Sequence, residues 1–163
     1  MKVLFLDHDG VVCLSTEWGS RFKNKEGLDS VFDRFNEKAI KVLNQIIEET
    51  DCEIVISSDW RFHATLAQMK ELYAIRGVKK LPIDYTRGDI DWKDFIKVHP
   101  GNELEVTRVL EIEDWVKAHP QITHWVAVDD MDLSALANFV QTPRSSEGIK
   151  QSGIKEKIIK FLK

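Results

Sequence analysis

Three short hydrophobic runs, each followed at once by acidic or hydroxyl-bearing residues, stand out along the chain. The runs cover residues 3–6, 53–56 and 125–128. Apolar runs of about four to eight residues, rich in β-branched side chains, are typical of strands buried on both faces of a sheet. The pattern therefore predicts three buried strands.

Amphipathic helices are predicted between and after these strands. Apolar residues recur at steps of three and four over residues 35–49, 64–75 and 106–119, as in helices packed on a core by one face. A last helix is predicted over residues 154–162 and a short final strand over residues 136–140. Strands that alternate with helices predict an α/β fold, a Rossmann-like parallel sheet with helices on both faces.

The polar residues that follow the three strands are expected to meet at one edge of this sheet, because open parallel sheets bind ligands beyond the carboxyl ends of their strands. In chain order these polar clusters are Asp7-His8-Asp9-Gly10, Ser57-Ser58-Asp59 and Asp129-Asp130-Met131-Asp132. Neighbouring ionised carboxylates repel each other, and a divalent cation relieves that repulsion. Magnesium is favoured because it prefers hard oxygen ligands.

The acidic clusters also have ordinary structural explanations when each is taken alone. Asp7 and Asp9 fit a turn that is satisfied by its own backbone, with Gly10 allowing a sharp bend. Asp129 and Asp130 fit a solvated turn or a helix N-cap. Only the joint occurrence of the clusters at predicted strand ends favours a functional site.

The hydroxyl and basic candidates have equally plain alternatives. Ser57 and Ser58 fit caps of a helix that begins near His63. Arg108 and Arg61 fit solvated surface residues, the usual position of a lone arginine.

Length and composition narrow the class of protein. The chain has 163 residues, which suggests one domain because domains most often contain about 100–150 residues. Hydrophobic residues make up 43% and charged residues 31%, a balance that excludes disordered and fibrous proteins. The net charge of −4 argues against wholesale wrapping of nucleic acid, although it allows a local basic patch.

Cysteine usage and hydropathy predict a cytoplasmic protein. Cys13 and Cys52 cannot form a disulfide framework, and free thiols suit a reducing cytosol. No apolar stretch approaches the roughly 20 residues of a membrane helix. The N-terminal run is also shorter than the apolar part of a signal peptide, about 7–15 residues. The sequence makes no prediction of oligomeric state.

Two polar stretches, residues 15–34 and 86–105, are predicted to be surface loops inserted into this single domain. Their basic and aromatic residues could bind a polyanion and stack a base, although solvated loops explain the same composition. These residues are Trp18, Arg21, Phe22, Lys23 and Lys25 in the first stretch, and Arg87, Trp92 and Lys93 in the second.

The order of the polar clusters resembles the motifs of the haloacid dehalogenase-like (HAD) superfamily of phosphohydrolases. The resemblance covers most of the chain, and its most specific part is the first strand with Asp7-His8-Asp9-Gly10-Val11-Val12. Ile54-Val55-Ile56-Ser57 resembles the second motif, and Val126-Ala127-Val128-Asp129-Asp130 resembles the fourth. Arg108 stands where the superfamily has Lys or Arg. Because that residue is usually Lys, Lys117 is a competing candidate.

Two further features refine the resemblance. The stretch Ser57-Ser58-Asp59-Trp60-Arg61 and the helix around Arg108 look like a HAD branch associated with nucleic-acid end repair. No large cap domain separates the motifs, and superfamily members with a minimal cap often act on large substrates. The resemblance thus implies one HAD-like phosphatase domain over residues 1–163, acting on a phosphorylated substrate such as a nucleotide or a nucleic-acid end. A small phosphometabolite stays open as a substrate, and Arg61 is given no role.

The resemblance also implies a mechanism. Asp7 is the expected nucleophile that forms an aspartyl phosphate, and Asp9 is the expected acid and base. Mg²⁺ is the implied cofactor, bound by Asp7, Asp129 and the backbone carbonyl of Asp9. Because a directly ligated carboxylate would lose its proton, the side chain of Asp9 is predicted to stay off the metal.

The resemblance assigns phosphate binding and metal support to the remaining candidates. Ser57 and Arg108 are expected to hold phosphoryl oxygens, and Arg suits planar bidentate contacts. Asp130 is expected to bind the metal site or to orient its neighbour or a metal-bound water.

Other functional classes fit less well. A phosphate-accepting receiver-like signalling domain also uses clustered acids and magnesium, but its acceptor aspartate follows a middle strand, where this chain has Ser57. A degenerate binding domain is disfavoured because all the expected acids are present. A P-loop kinase is disfavoured because the chain has no Gly-x-x-x-x-Gly-Lys-Ser/Thr segment.

Overall fold

A parallel sheet of five strands lies at the centre of the computed structural model, which describes residues 1–16, 35–87 and 102–163. The strands lie in the order β3-β2-β1-β4-β5, which puts the three predicted strands in the middle. In chain order they are β1 (Lys2–Leu6), β2 (Glu53–Ile56), β3 (Asp84–Tyr85), β4 (His124–Asp129) and β5 (Phe139–Gln141).

Four α-helices in the described residues cover this sheet, each close to a predicted position. They are α1 (Glu37–Thr50), α2 (Leu66–Ile75), α3 (Glu103–Ala118) and α4 (Ile154–Leu162). Local capping explains two of the starts. The Asn36 side chain accepts hydrogen bonds from the first turn of α1, and Thr65 forms a capping box with Gln68 at the start of α2.

The two faces of the sheet bury alternate strand residues against different helices. Leu4 and Leu6 of β1 pack with α1, α2 and α4, whereas Val3 and Phe5 pack with α3. This alternation follows from the period of two in a strand. The predicted α/β architecture, a Rossmann-like parallel sheet with helices on both faces, is therefore confirmed.

Some predicted boundaries are wrong. Strand β3 was not predicted, because its two residues form no apolar run. Strand β5 begins at Phe139 and not at residue 136. Helix α3 begins at Glu103, so the predicted loop 86–105 overlaps its first turn. That turn carries acidic residues, which favour a helix N-terminus but give no apolar periodicity.

The remainder of the two predicted loops, residues 17–34 and 88–101, lies outside the described residues. Their basic and aromatic residues, Arg87 excepted, lie there too. In the described part of the chain, no helix combines the length and hydropathy needed to cross a membrane.

Candidate active site

The ends of the three central strands lie side by side. Leu6, the last residue of β1, is in register with Ile56 of β2 and Val128 of β4. Beyond it, the Asp7 N–H donates to the Val128 carbonyl at 3.1 Å, and the Ser57 N–H donates to the Leu6 carbonyl at 2.9 Å. The main chain thus brings Asp7, Ser57 and Asp129 to one edge of the sheet, as predicted.

A tight turn after β1 leaves room for the carboxylate of Asp130, which follows β4. The His8 carbonyl accepts hydrogen bonds from the backbone N–H groups of residues 11–13. Gly10 has a φ of +76°, and a side chain there would overlap the carboxylate of Asp130. The turn therefore requires glycine both for its conformation and for the close approach of Asp130.

Three carboxylates converge at the strand ends. Asp7, Asp129 and Asp130 each offer an oxygen atom, and these atoms lie within 4.8 Å of one another. Asp7 and Asp129 are buried, and Asp130 is half-buried. Hard oxygen ligands converging from three side chains suit Mg²⁺, so the residues present fit the cation that the sequence implies.

Burial makes this cluster electrostatically costly without a cation. It raises the pKa of Asp7 well above its usual range, and the Asp129 charge raises it further. Burial likewise raises the pKa of Asp129 to about 6, while Arg108 opposes that rise. Burial also raises the pKa of Asp130. A divalent cation would favour the ionised form of all three groups.

Arg108 is the cation that helix α3 supplies to the cluster. Its Nη1 lies 3.2 Å from Asp7 Oδ1 and 2.8 Å from Asp129 Oδ2. Its Nη2 lies 2.9 Å from an oxygen of Asp59, a contact that the sequence did not predict. The competing candidate Lys117 is exposed and lies nine residues later, about 13 Å along the helix.

The two serines after β2 differ in their surroundings. The Ser58 hydroxyl accepts from the Trp60 N–H at 3.4 Å and caps a 3₁₀ helix over Asp59–Phe62. The expected helix start near His63 is wrong, because α2 begins at Leu66. The Ser57 hydroxyl is buried and has no hydrogen-bond partner among the described residues. An unpartnered buried hydroxyl is costly, so a ligand oxygen would satisfy it.

Asp9 lies outside the group of three carboxylates found among the described residues. Its Oδ2 accepts a hydrogen bond from the indole Nε1 of Trp60 at 3.1 Å. This contact joins residues far apart in the sequence, so no local signal could reveal it.

A second buried pair lies beside Arg108. Arg61 Nη2 donates to both carboxylate oxygens of Glu111, at 3.0 and 2.8 Å. Burial raises the pKa of Glu111 to about 7. Arg108 and Glu111 are three residues apart and share one face of α3, a spacing that was available in the sequence as a signal. Arg61 is thus a buried ion-pair partner and not a solvated residue.

The side chain of His8 enters the opposite layer. Its Nε2 is hydrogen-bonded to the Tyr73 hydroxyl at 2.7 Å, and the rings of Phe35 and Trp60 pack against it. Burial lowers the pKa of His8 to about 3, so the imidazole is neutral at physiological pH.

Comparison with known proteins identifies a family for this chain. The family model described as "HAD domain in Swiss Army Knife RNA repair proteins" matches residues 3–153. No curated protein and no solved structure matches significantly. HAD domains are generally hydrolases, typically phosphatases, and generally use Mg²⁺. On the extent of this match, the chain belongs to the family of HAD domains of Swiss Army Knife RNA repair proteins.

Proposed function

We propose that the protein is a magnesium-dependent phosphatase that hydrolyses phosphate monoesters through a phosphorylated Asp7. One observation supports this above all. The carboxylates of Asp7, Asp129 and Asp130 converge within 4.8 Å, and Arg108 contacts two of them. A nucleophilic carboxylate needs its charge screened and its target held in line. The contact of Arg108 with Asp7 supports the first requirement, and a bound cation would add to it.

The metal ligands in this proposal are Asp7, Asp129 and Asp130, together with the backbone carbonyl of Asp9. When bound, Mg²⁺ neutralises charge on the phosphoryl oxygens. Arg108 and the unpartnered hydroxyl of Ser57 hold the remaining oxygens. Arg108 already contacts three carboxylates, and Asp59 is the most exposed of them, so Asp59 is the partner that a phosphoryl group displaces most readily.

The reaction has two steps. In the first, an oxygen of Asp7 attacks phosphorus, the bond to the leaving oxygen breaks, and protonated Asp9 gives its proton to that oxygen. In the second, Asp9 takes a proton from water while the water oxygen attacks the aspartyl phosphate. The phosphorus–oxygen bond to Asp7 then breaks and inorganic phosphate is released.

We propose that the substrate is a phosphate at a nucleic-acid end or on a nucleotide. The family match to HAD domains of RNA repair proteins supports this class. A cavity of about 160 Å³ beside Arg108 supports it as well. The ring of Phe62 borders this cavity and is 60% exposed, and an exposed aromatic ring can stack a base.

Phosphate release tests this function. The panel contains 3′- and 5′-phosphorylated RNA and DNA oligonucleotides, mononucleotides, sugar phosphates and phosphopeptides, each with and without Mg²⁺. We expect phosphate release from the nucleotide or oligonucleotide members, and only when Mg²⁺ is present. Asp7→Asn should lower kcat by at least about 10³-fold.

A control and two outcomes complete the test. Asp132→Asn changes an exposed carboxylate outside the cluster and should retain activity. Turnover by the Asp7→Asn variant would reject the nucleophile. A wild-type protein that becomes phosphorylated but releases no phosphate would favour the receiver-like alternative.

A further inference from the structure

The hydrogen bond from Trp60 to Asp9 has no part in the scheme above. The indole Nε1 of Trp60 lies 3.1 Å from Asp9 Oδ2. An indole N–H donates and cannot accept, so Oδ2 must be the accepting oxygen of Asp9 whether the carboxyl is ionised or protonated. The carbonyl oxygen of a carboxylic acid is a better acceptor than its hydroxyl oxygen, so this contact favours Oδ1 as the oxygen that carries a proton.

The surrounding rings fix the direction of this N–H group. Trp60 is 5% exposed and stacks on Phe35, with ring centroids 5.5 Å apart and planes 14° apart. His8 packs edge-on against the same indole at 4.6 Å. The backbone N–H of Trp60 is held by Ser58. An indole packed on several sides cannot change rotamer without disturbing the core, so it holds Asp9 from a fixed position.

We propose that Trp60 is a positioning residue that orients the carboxyl of Asp9 so that Oδ1 delivers the proton to the leaving oxygen. This inference rests on the proposed function, in which Asp9 is the acid. The same hydrogen bond keeps Oδ2 engaged with the indole and so favours a carboxyl that stays outside the metal ligands.

Leaving-group dependence tests this role, because only a poor leaving group needs the proton. Trp60→Phe keeps an aromatic ring and removes the N–H group. We expect kcat/KM on a phosphorylated oligonucleotide, whose leaving group is an alkoxide, to fall about 10- to 100-fold, a part of what a general acid supplies. This constant covers only the steps through phosphorylation of Asp7, so it excludes the second step, in which Asp9 acts as the base. With 4-nitrophenyl phosphate, whose leaving group departs without a proton, kcat/KM should change less than about threefold.

Two further variants calibrate the result. Trp115→Phe removes an indole N–H that donates to Asp84 at 2.8 Å, away from the carboxylate cluster, and should change both substrates equally. Asp9→Asn should show the same selectivity as Trp60→Phe with a larger loss. Adding Trp60→Phe to Asp9→Asn should cause no further selective loss in kcat/KM, because Trp60 acts only through Asp9.

The outcomes separate this inference from the proposed function. An equal loss on both substrates, or no loss on either, overturns the role of Trp60. Activity of Asp7→Asn on either substrate overturns the proposed function instead. If Trp60→Phe fails to fold, Phe35→Leu loosens the stacked indole while leaving its N–H in place. Phe35→Leu should show a smaller loss of kcat/KM with the same selectivity between the two substrates. If that selective loss is not seen, the inference is overturned.

Discussion

Asp7 and His8 are consecutive in the chain, yet their side chains enter opposite layers of the molecule. Both are buried, and burial favours the neutral form of each side chain. It raises the pKa of Asp7 and lowers the pKa of His8 to about 3. Their neighbours differ in kind. Asp7 faces two other carboxylates and one arginine, whereas His8 faces aromatic rings and the hydroxyl of Tyr73.

The difference separates the part of the molecule that stabilises the fold from the part proposed to react. The His8 layer is built from neutral groups whose burial favours folding. The Asp7 layer groups three carboxylates, whose repulsion when ionised costs free energy that Arg108 offsets in part and a bound cation would offset further. Substitutions on the two sides should therefore change different measured quantities, and three predictions test that separation.

The largest effect is expected from a metal ligand on the Asp7 side. Chelation should abolish activity and added Mg²⁺ restore it. Asp129→Asn should lower kcat about 10³-fold, or about 4 kcal/mol, because the site loses one of its three carboxylates. Mg²⁺ should raise the thermal unfolding midpoint of the wild type and not that of the variant, because an ion stabilises the folded protein only if it binds to it. Equal midpoint shifts in both proteins would contradict the assignment.

A smaller effect is expected from the arginine that faces Asp7. Arg108→Ala should lower kcat/KM about 100-fold, or about 2.7 kcal/mol, because phosphoryl oxygens lose a charged donor. Arg108→Lys should recover part of that loss. Lys117→Ala changes the other candidate cation, which is exposed at the far end of α3, and should leave kcat/KM unchanged. A larger loss in Lys117→Ala than in Arg108→Ala would reverse the assignment.

The smallest effect is expected from the His8 side, in stability and not in activity. In the unfolded chain His8 binds a proton below about pH 6.5, whereas in the folded chain it binds one only below about pH 3. Because the unfolded state then binds more protons, stability falls as pH falls through this window. Between pH 7 and pH 5, the wild type should lose about 2 kcal/mol more than His8→Gln in its free energy of unfolding.

Urea unfolding with chelator present measures this difference. Tyr73→Phe removes the hydrogen bond to His8 but leaves His8 buried. This variant should be less stable than the wild type at each pH, while its free energy of unfolding should change with pH as steeply as that of the wild type. If the free energy of unfolding of His8→Gln changes with pH as steeply as that of the wild type, His8 is not the cause of the pH dependence.

The sequence predicts the central sheet and the carboxylate cluster because both depend on local patterns. Apolar runs mark the three central strands, and parallel pairing brings their ends together. The choice of Arg108 over Lys117 was also within reach. Arg108 lies four residues before the buried Ile112, whereas Lys117 is about two and a half turns past Arg108, on the opposite face of the helix.

Other features depend on contacts between distant segments. The Trp60–Asp9 hydrogen bond joins residues 51 apart, and the Arg61–Glu111 pair joins residues 50 apart. Nothing in the local pattern around Trp60 distinguishes an indole that orients a carboxyl from one that only fills the core. Strand β3 was missed because a two-residue edge strand has no periodicity to detect.

The backbone pairing beyond Leu6 has a consequence for how this site can change over time. Main-chain hydrogen bonds from Asp7 to Val128 and from Ser57 to Leu6 fix where the three strand ends stand. The spacing of the site is therefore a property of peptide groups, which every amino acid except proline supplies. Evolution can therefore exchange a side chain at these positions and alter the chemistry, while the hydrogen-bonded backbone keeps the strand ends at the same spacing.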